Sequence, residues 1–325
     1  MRAIALISGG LDSVLAAKLM QQQGVEVLLI NFRIPFCKSY SRAEEAAKNL
    51  NVELTSVDIS IDFLKTINNP RYGFGANMNP CIDCKILMLS KCKSLMHELD
   101  AQFVITGEVL GQRPMSQHRQ ALETIAIRGG LEGLVLRPLS AKLLPETLAE
   151  KQGWVKREEL LAMNGRTRRP QMELAKEFGI LEYPTPAGGC LLTDPEFTRR
   201  LKELMSHGEL NIDNIELLKV GRHFRISDST KLIVGRNERE NESVAKLAKE
   251  NDYLFLPEEV AGPTALARGS LNHELINLSC RIICRYSDLN GSKESKVTYL
   301  KIPAKEQETL AISPLEEEKI VKLRV

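Results

Sequence analysis

The sequence predicts an α/β fold: a parallel sheet with helices on both faces, followed by a smaller α+β domain. Three observations carry this reading. Apolar runs and helix-periodic stretches alternate along residues 1–139. The first apolar run, Ala3 to Ile7, feeds into Ser8-Gly9-Gly10-Leu11-Asp12-Ser13 and then a periodic segment, Val14 to Met20. From about residue 214 the rhythm changes to shorter strand-like runs interspersed with helices. A chain of 325 residues accommodates two domains of roughly 100–200 residues each. Its 43% hydrophobic and 26% charged content is that of a globular protein.

Strands are expected at 3–7, 26–32, 52–59, 103–107 and 133–136, and helices at 13–22, 41–50, 85–99 and 116–127. Residues 140–206 read as helical and more basic, punctuated by Pro145, Pro170, Pro184, Pro186 and Pro195. The domain boundary is expected at 207–213, with one domain over 1–206 and a second over 214–325. In the second, Phe224-Arg225-Ile226 and Lys231-Leu232-Ile233-Val234 flank Ser227-Asp228-Ser229-Thr230, a hairpin pattern. A helix at 239–250, strands at 253–256 and 264–268, a helix at 272–287 and a strand at 295–302 complete it.

No apolar run approaches the ~18 residues that cross a membrane, and the N-terminal run is too short for a signal peptide. The expected location is the cytoplasm. A net charge of +2 neither demands nor excludes nucleic acid, so local patches must decide.

The glycine turn carries the first chemistry. Gly9 and Gly10 let backbone N–H groups approach a ligand, and the helix start behind them favours an anion. Ser8 and Ser13 add hydroxyls. Asp12 repels a phosphate unless a cation joins the two, which points to Mg²⁺-bound phosphate. The plainer reading is an acid near a helix N-terminus, where acids are favoured anyway.

Seven cysteines, at 37, 81, 84, 92, 190, 280 and 284, are an odd count for a disulfide framework. Cys92, Cys280 and Cys284 read as core residues, and Cys37, beside Pro35 in a loop, is ambiguous. Cys81-Ile82-Asp83-Cys84 opens a helix, where a thiolate is favoured. Cys190 follows Gly188 and Gly189, which expose its sulfur. Three cysteines fit an iron–sulfur cluster with one open iron, or a nucleophile and a resolving thiol carrying sulfur as a persulfide. A structural zinc site would need a fourth ligand, and His118 lacks metal spacing.

Ser8-Gly9-Gly10-Leu11-Asp12-Ser13 resembles the PP-loop of the ATP pyrophosphatase superfamily, the adenine nucleotide alpha hydrolase-like fold. Together with Pro80-Cys81-x-x-Cys84 and Gly189-Cys190, it resembles the tRNA thiouridine synthases. The cysteines are similar to those of 2-thiouridylases. Thr106-Gly107-Glu108-Val109-Leu110-Gly111-Gln112 with Ser116-Gln117, and Leu136-Arg137-Pro138-Leu139, are similar to 4-thiouridine synthases. Arg113-Pro114-Met115 departs from those enzymes, and their N-terminal RNA-binding modules have no counterpart here, so the target nucleoside does not carry over. Residues from about 217 onward resemble the NFACT RNA-binding module, through Ile233-Val234-Gly235-Arg236-Asn237 with Asn241, and through Arg285-Tyr286-Ser287. Its aromatic–histidine signature is replaced by Asp252-Tyr253-Leu254-Phe255.

These resemblances imply an ATP-dependent tRNA sulfurtransferase. It adenylates a uridine oxygen, releases pyrophosphate and replaces the AMP ester with sulfur. Ser8, Gly9, Gly10, Asp12, Ser13, Gly107 and Gln112 would bind ATP, and Asp12 would reach Mg²⁺. Cys190 with Cys84 would carry and resolve a persulfide, or Cys81, Cys84 and Cys190 would hold a [4Fe-4S] cluster, the preferred option because all three are present. The implied partners are tRNA and a sulfur donor: a cysteine desulfurase, a sulfur carrier or free sulfide. A homodimer would add a second copy. Arg166, Arg168, Arg169, Arg199, Arg200, Arg222 and Arg225 are the expected RNA contacts, from basic clusters near the boundary. The competing readings are another AMP-transferring ligase of amide-forming or lysidine-synthetase type, and a non-catalytic RNA-binding adaptor.

Overall fold

A computed structural model describes residues 1–37, 40–183, 190–303 and 306–325. The chain forms two compact units, Met1–Asp194 and Pro195–Val325. The first contains β1 (Arg2–Leu6), α1 (Leu11–Gln22), β2 (Glu26–Arg33), α2 (Tyr40–Leu50), β3 (Leu54–Asp58) and α3 (Ser60–Asn68). It continues with α4 (Cys81–Glu98), β4 (Phe103–Ile105), α5 (Arg119–Arg128), β5 (Val135–Leu136), α6 (Leu148–Lys151) and α7 (Arg169–Glu177). The strands form one parallel sheet ordered β3-β2-β1-β4-β5. This is the α/β arrangement expected from the alternating pattern. Helix α4 begins at Cys81, four residues ahead of its expected start, and α3 was not anticipated.

β1 is the hinge of the topology. Ala3 pairs with Val27 on one side and Phe103 on the other, and Ala5 with Leu29 and Ile105. Ala3, Ile4 and Ala5 are fully buried, as a strand covered on both faces requires. The chain winds outward from β1 to β3 and then returns to β1's other side at β4. Strand order reverses there, so the loops leaving the carboxyl ends of β1 and β4 bound a crevice.

An ion-paired triad fixes the β4 loop. Glu108 accepts from Lys85 of α4, from Arg137 Nε at 2.9 Å after β5, and from Thr106 Oγ1 at 3.0 Å. Arg137 also donates to the Leu122 carbonyl in α5 at 3.1 Å. Burial alone would raise the Glu108 pKa, but the two cations and their hydrogen bonds outweigh it and hold the carboxyl at about 2.

The second unit contains α8 (Pro195–Ser206), α9 (Ile212–Leu218), β6 (Arg222–Ser227), β7 (Thr230–Val234) and α10 (Glu238–Lys246). It continues with β8 (Tyr253–Pro257), β9 (Ala265–Gly269), α11 (His273–Arg285), β10 (Ser295–Lys301), β11 (Glu308–Ile312) and α12 (Glu317–Leu323). Six strands form an antiparallel sheet ordered β11-β10-β8-β9-β7-β6. Asn211, Asn237 and Asn272 cap α9, α10 and α11, each side chain accepting a backbone N–H of the first turn. The core joins Phe224, Leu232, Phe255 and Val297 to Cys280 and Ile283 of α11. Cys280 and Cys284, like Cys92 in α4, lie buried. Edge strand β11 and helix α12 escaped the sequence reading because β11 is mostly exposed and has little apolar alternation.

The domain boundary differs from its expected place. Residues 207–213 are not a linker: they turn α8 into α9 inside the second unit. The reason is ionic. Glu203 of α8 accepts from Arg225 Nε and Lys231 Nζ, each at 2.5 Å, and Glu209 holds Arg225 through two bonds of 2.9 Å. The side chains of Glu203, Arg225 and Lys231 are only 17%, 13% and 7% exposed. The break therefore falls before α8.

Two predictions follow from these networks. Glu203→Ala leaves the largely buried Lys231 without its carboxylate and Arg225 with Glu209 alone, and should cost about 3 kcal/mol or more of second-unit stability. Arg169→Ala, whose exposed pair with Glu173 contributes little, should cost under about 1 kcal/mol. Calorimetry of the full chain compares them. The depressed Glu108 pKa gives a sign for pH. Its contribution is complete above the carboxyl's ordinary value of 4.5 and is lost as pH falls toward about 2. Denaturant melts across that interval should show first-unit stability falling in wild type, with a shallower fall in Glu108→Gln.

Candidate functional site

The loop from Ile7 to Leu11 joins β1 to α1. Gly9 has φ +72°, and a Cβ there would lie 2.4 Å from the backbone of Arg42 in α2, so only glycine fits. Gly10 is the N-cap of α1 and offers no side-chain cap, so the helix start keeps N–H groups for an incoming anion. Ser13 Oγ donates to the Gly10 carbonyl at 2.8 Å, and Ser8 Oγ accepts from Gly10 N at 3.3 Å. The two serine hydroxyls lie 3.4 Å apart. The loop is thus braced by its own hydroxyls around a backbone cradle.

The loop after β4 closes against this cradle. A Cβ on Gly107 would come within 2.5 Å of the Asp12 carbonyl and the Ser13 nitrogen. Glycine there serves the close approach of two backbones. Gln112 Nε2 then donates to Asp12 Oδ2 at 3.0 Å. Asp12 Oδ1 and Gln112 Oε1 are buried without a hydrogen-bond partner. An unpartnered buried carboxylate oxygen beside an anion cradle fits a divalent cation.

The cysteines meet at the same edge of the sheet. Cys37 lies just beyond β2 and pairs in antiparallel fashion with Cys190, with Leu191 N donating to the Phe36 carbonyl at 2.9 Å. Cys190 is further positioned by Met78 N donating to the Leu192 carbonyl at 3.1 Å and Asn77 Nδ2 to the Thr193 carbonyl at 2.7 Å. The Cys37 thiol is the neighbour that acts most on Cys190. That thiol, the Leu192 backbone and the Arg113 charge hold Cys190 below the usual thiol range despite burial. The same pairing and burial push Cys37 well up. Burial pushes Cys84 strongly up as well. Cys81 Sγ donates to Ser116 Oγ at 3.1 Å. Cys190 is therefore the member of the group with greatest thiolate character.

Among the described residues no three His, Cys, Asp or Glu side chains are arranged to hold a metal ion. Cys81, Cys84 and Cys190 come near one another, with Cys190 beside Cys37 and Cys81 bonded to Ser116. Gly188 and Gly189 lie outside the described residues.

The arginines separate into different roles. Arg166 is exposed, Arg169 pairs with Glu173 at 2.9 Å, and Arg168 is partly buried. Arg199 pairs with Glu196 at 2.8 Å, and Arg200 Nε donates to the Glu196 carbonyl at 3.2 Å. Arg222 lies 4.7 Å over the Tyr286 ring. Arg225 is the exception: its guanidinium is consumed by Glu203 and Glu209, so it is a structural residue rather than an RNA contact. Sequence reasoning left Cys37 undecided and passed over Lys85. The available signals were Cys37's place just past a central strand and Lys85's spacing, one turn beyond Cys81 on the same helix. No described helix is long and apolar enough to cross a membrane.

Residues 1–142 match the family model for thiamine biosynthesis protein (ThiI), and residues 221–324 match the NFACT protein RNA binding domain. A probable tRNA sulfurtransferase of Methanothermobacter thermautotrophicus is 30% identical over 47% of this chain and 40% of its own length. A tRNA-specific 2-thiouridylase MnmA of Symbiobacterium thermophilum is 26% identical over 62% of this chain and 55% of its length. The MnmA 2 of Thermoanaerobacter sp. is 23% identical over 97% of this chain and 88% of its length. The chain thus spans about half the length of the first two relatives. The first unit is thus similar to tRNA sulfurtransferases and 2-thiouridylases, and the second to the NFACT protein RNA binding domain.

Proposed function

We propose that this chain is an ATP-dependent tRNA sulfurtransferase that converts a uridine carbonyl to a thiocarbonyl. The observation that carries the reading is the sharing of one sheet edge by an anion cradle, Ser8 to Ser13, and a polarised thiol, Cys190. One element binds a triphosphate and the other delivers sulfur. An amide-forming ligase has no use for the second.

A uracil oxygen is a poor leaving group. Its attack on the α-phosphorus of ATP forms an AMP ester and expels pyrophosphate, which the N–H groups at Gly9, Gly10 and the start of α1 receive. Asp12 would hold Mg²⁺ through Oδ1, and that ion would offset charge on the departing phosphates. Gln112 keeps the Asp12 carboxylate turned toward the cradle, and Gly107 sets the spacing. Sulfur bound to Cys190 as a persulfide then attacks the activated carbon, and AMP leaves with the C–O electron pair. The second unit contributes RNA affinity, with Arg199, Arg200 and Arg222 there, and Arg166, Arg168 and Arg169 in the first unit, meeting phosphates.

Deletion of the gene should remove one thiolated nucleoside from cellular tRNA, measured by mass spectrometry. The wild-type chain should restore it and Cys190→Ala should not. An unchanged nucleoside profile would favour the AMP-ligase reading. ATP–pyrophosphate exchange stimulated by tRNA should fall about 100-fold in Asp12→Asn, the scale of losing one electrostatic stabiliser. Titrations of tRNA binding against salt should show Arg166→Ala weakening binding and reducing the log–log slope by about 1.

A further inference from the structure

We propose that Cys37 is the resolving thiol for Cys190, the role that the sequence pattern assigned to Cys84; the inference rests on the sulfurtransferase reading. The geometry is that of a cross-strand cysteine pair. Cys37 and Cys190 face each other in antiparallel register, and the neighbouring Leu191 N–H bonds to the Phe36 carbonyl. A bond from the residue after one partner to the residue before the other marks a non-hydrogen-bonded pair. In such a pair Cα atoms stand about 4.5 Å apart and the side chains are at their closest. Disulfides accept Cα separations from roughly 4.4 Å to 6.8 Å, so the pair can be bridged with little backbone movement. The two thiols act on one another, Cys190 pushed down and Cys37 up. Cys84 sits on α4, with its backbone N–H bound to the Pro80 carbonyl at 2.8 Å, and has no such register with Cys190.

The chemistry balances without further groups in the site. Attack by the terminal sulfur of Cys190 persulfide on the adenylated carbon leaves a Cys190–S–S–C linkage. The Cys37 thiolate, its proton passed to solvent, attacks Cys190 Sγ. A Cys37–Cys190 S–S bond forms, and the bond from Cys190 to the transferred sulfur breaks. That electron pair stays on the sulfur, which becomes the thiocarbonyl of the product. Two cysteine thiols are oxidised to one disulfide, and the transferred sulfur is reduced. An external dithiol, itself oxidised to a disulfide, restores the pair. Without RNA the same attack on Cys190 persulfide releases hydrogen sulfide.

The test uses the full chain carrying a persulfide on Cys190. Without tRNA, the wild type should release sulfide and show a Cys37–Cys190 disulfide in alkylated peptide maps. Cys37→Ser and Cys37→Ala should lose both, while circular dichroism shows them folded. With ATP and unmodified tRNA, the same disulfide should appear with the first equivalent of thionucleoside, and in Cys84→Ser as well. Thiolation accompanied by a Cys84–Cys190 disulfide, or undiminished multiple turnover in Cys37→Ser, would overturn the assignment. Sulfide release with the Cys37–Cys190 bond but no thiolation would sustain the pair and sink the sulfurtransferase reading. Absence of both would remove the two together.

Discussion

The contact on which the first unit's site depends is the approach of Gly107 to the first turn of α1. Backbone meets backbone there, with no room for a Cβ beside Asp12 and Ser13. That approach exists because β1 and β4 are neighbours in the sheet although far apart in sequence. Once the loops touch, Gln112 reaches Asp12, and the cradle acquires its buried carboxylate. Glu108, one residue past the contact, is tied to α4 and to the end of β5 through Lys85 and Arg137. The helix that carries Cys81 and Cys84 is therefore secured by the loop that closes against Ser8–Ser13. The Ser8–Ser13 loop and the cysteine-bearing helix share one mechanical support.

The thiols illustrate how neighbours rather than residue type set reactivity. Cys84 and Cys190 are both partly shielded, yet burial dominates one, while hydrogen bonds and Arg113 dominate the other. A helix N-terminus favours thiolate in general, and this led the sequence reading toward the Cys81–Cys84 pair. In the fold, the bridge between Cys37 and Cys190 does more, because it sets the two thiols side by side.

The parallel sheet, the Ser8–Ser13 loop and the α+β character of the second unit were legible because each rests on local pattern: apolar runs, a glycine pair, a hairpin turn. What was not legible required contacts between distant segments. Cys37 and Cys190 are separated by most of the first unit, and nothing near Pro35 announces the pairing. Arg225 looked like a surface cation among Arg222, His223 and Lys219. Only the fold shows Glu203 and Glu209 converging on it. The boundary was misplaced for the same reason: a polar, glycine-containing stretch at 207–213 resembles a linker, while the ion pairs that bind α8 to β6 and β7 leave no periodic trace.

The ionic clasp between α8 and the antiparallel sheet bears on how the second unit can be handled apart from the first. A fragment cut at residue 214 would discard Glu203 and Glu209 and leave Arg225 and Lys231 facing one another across a gap with no counter-charge. Repulsion would then act where the clasp now acts. A fragment opening at Pro195 keeps the acids with their bases. The natural cut in this chain is therefore decided by electroneutrality rather than by loop length.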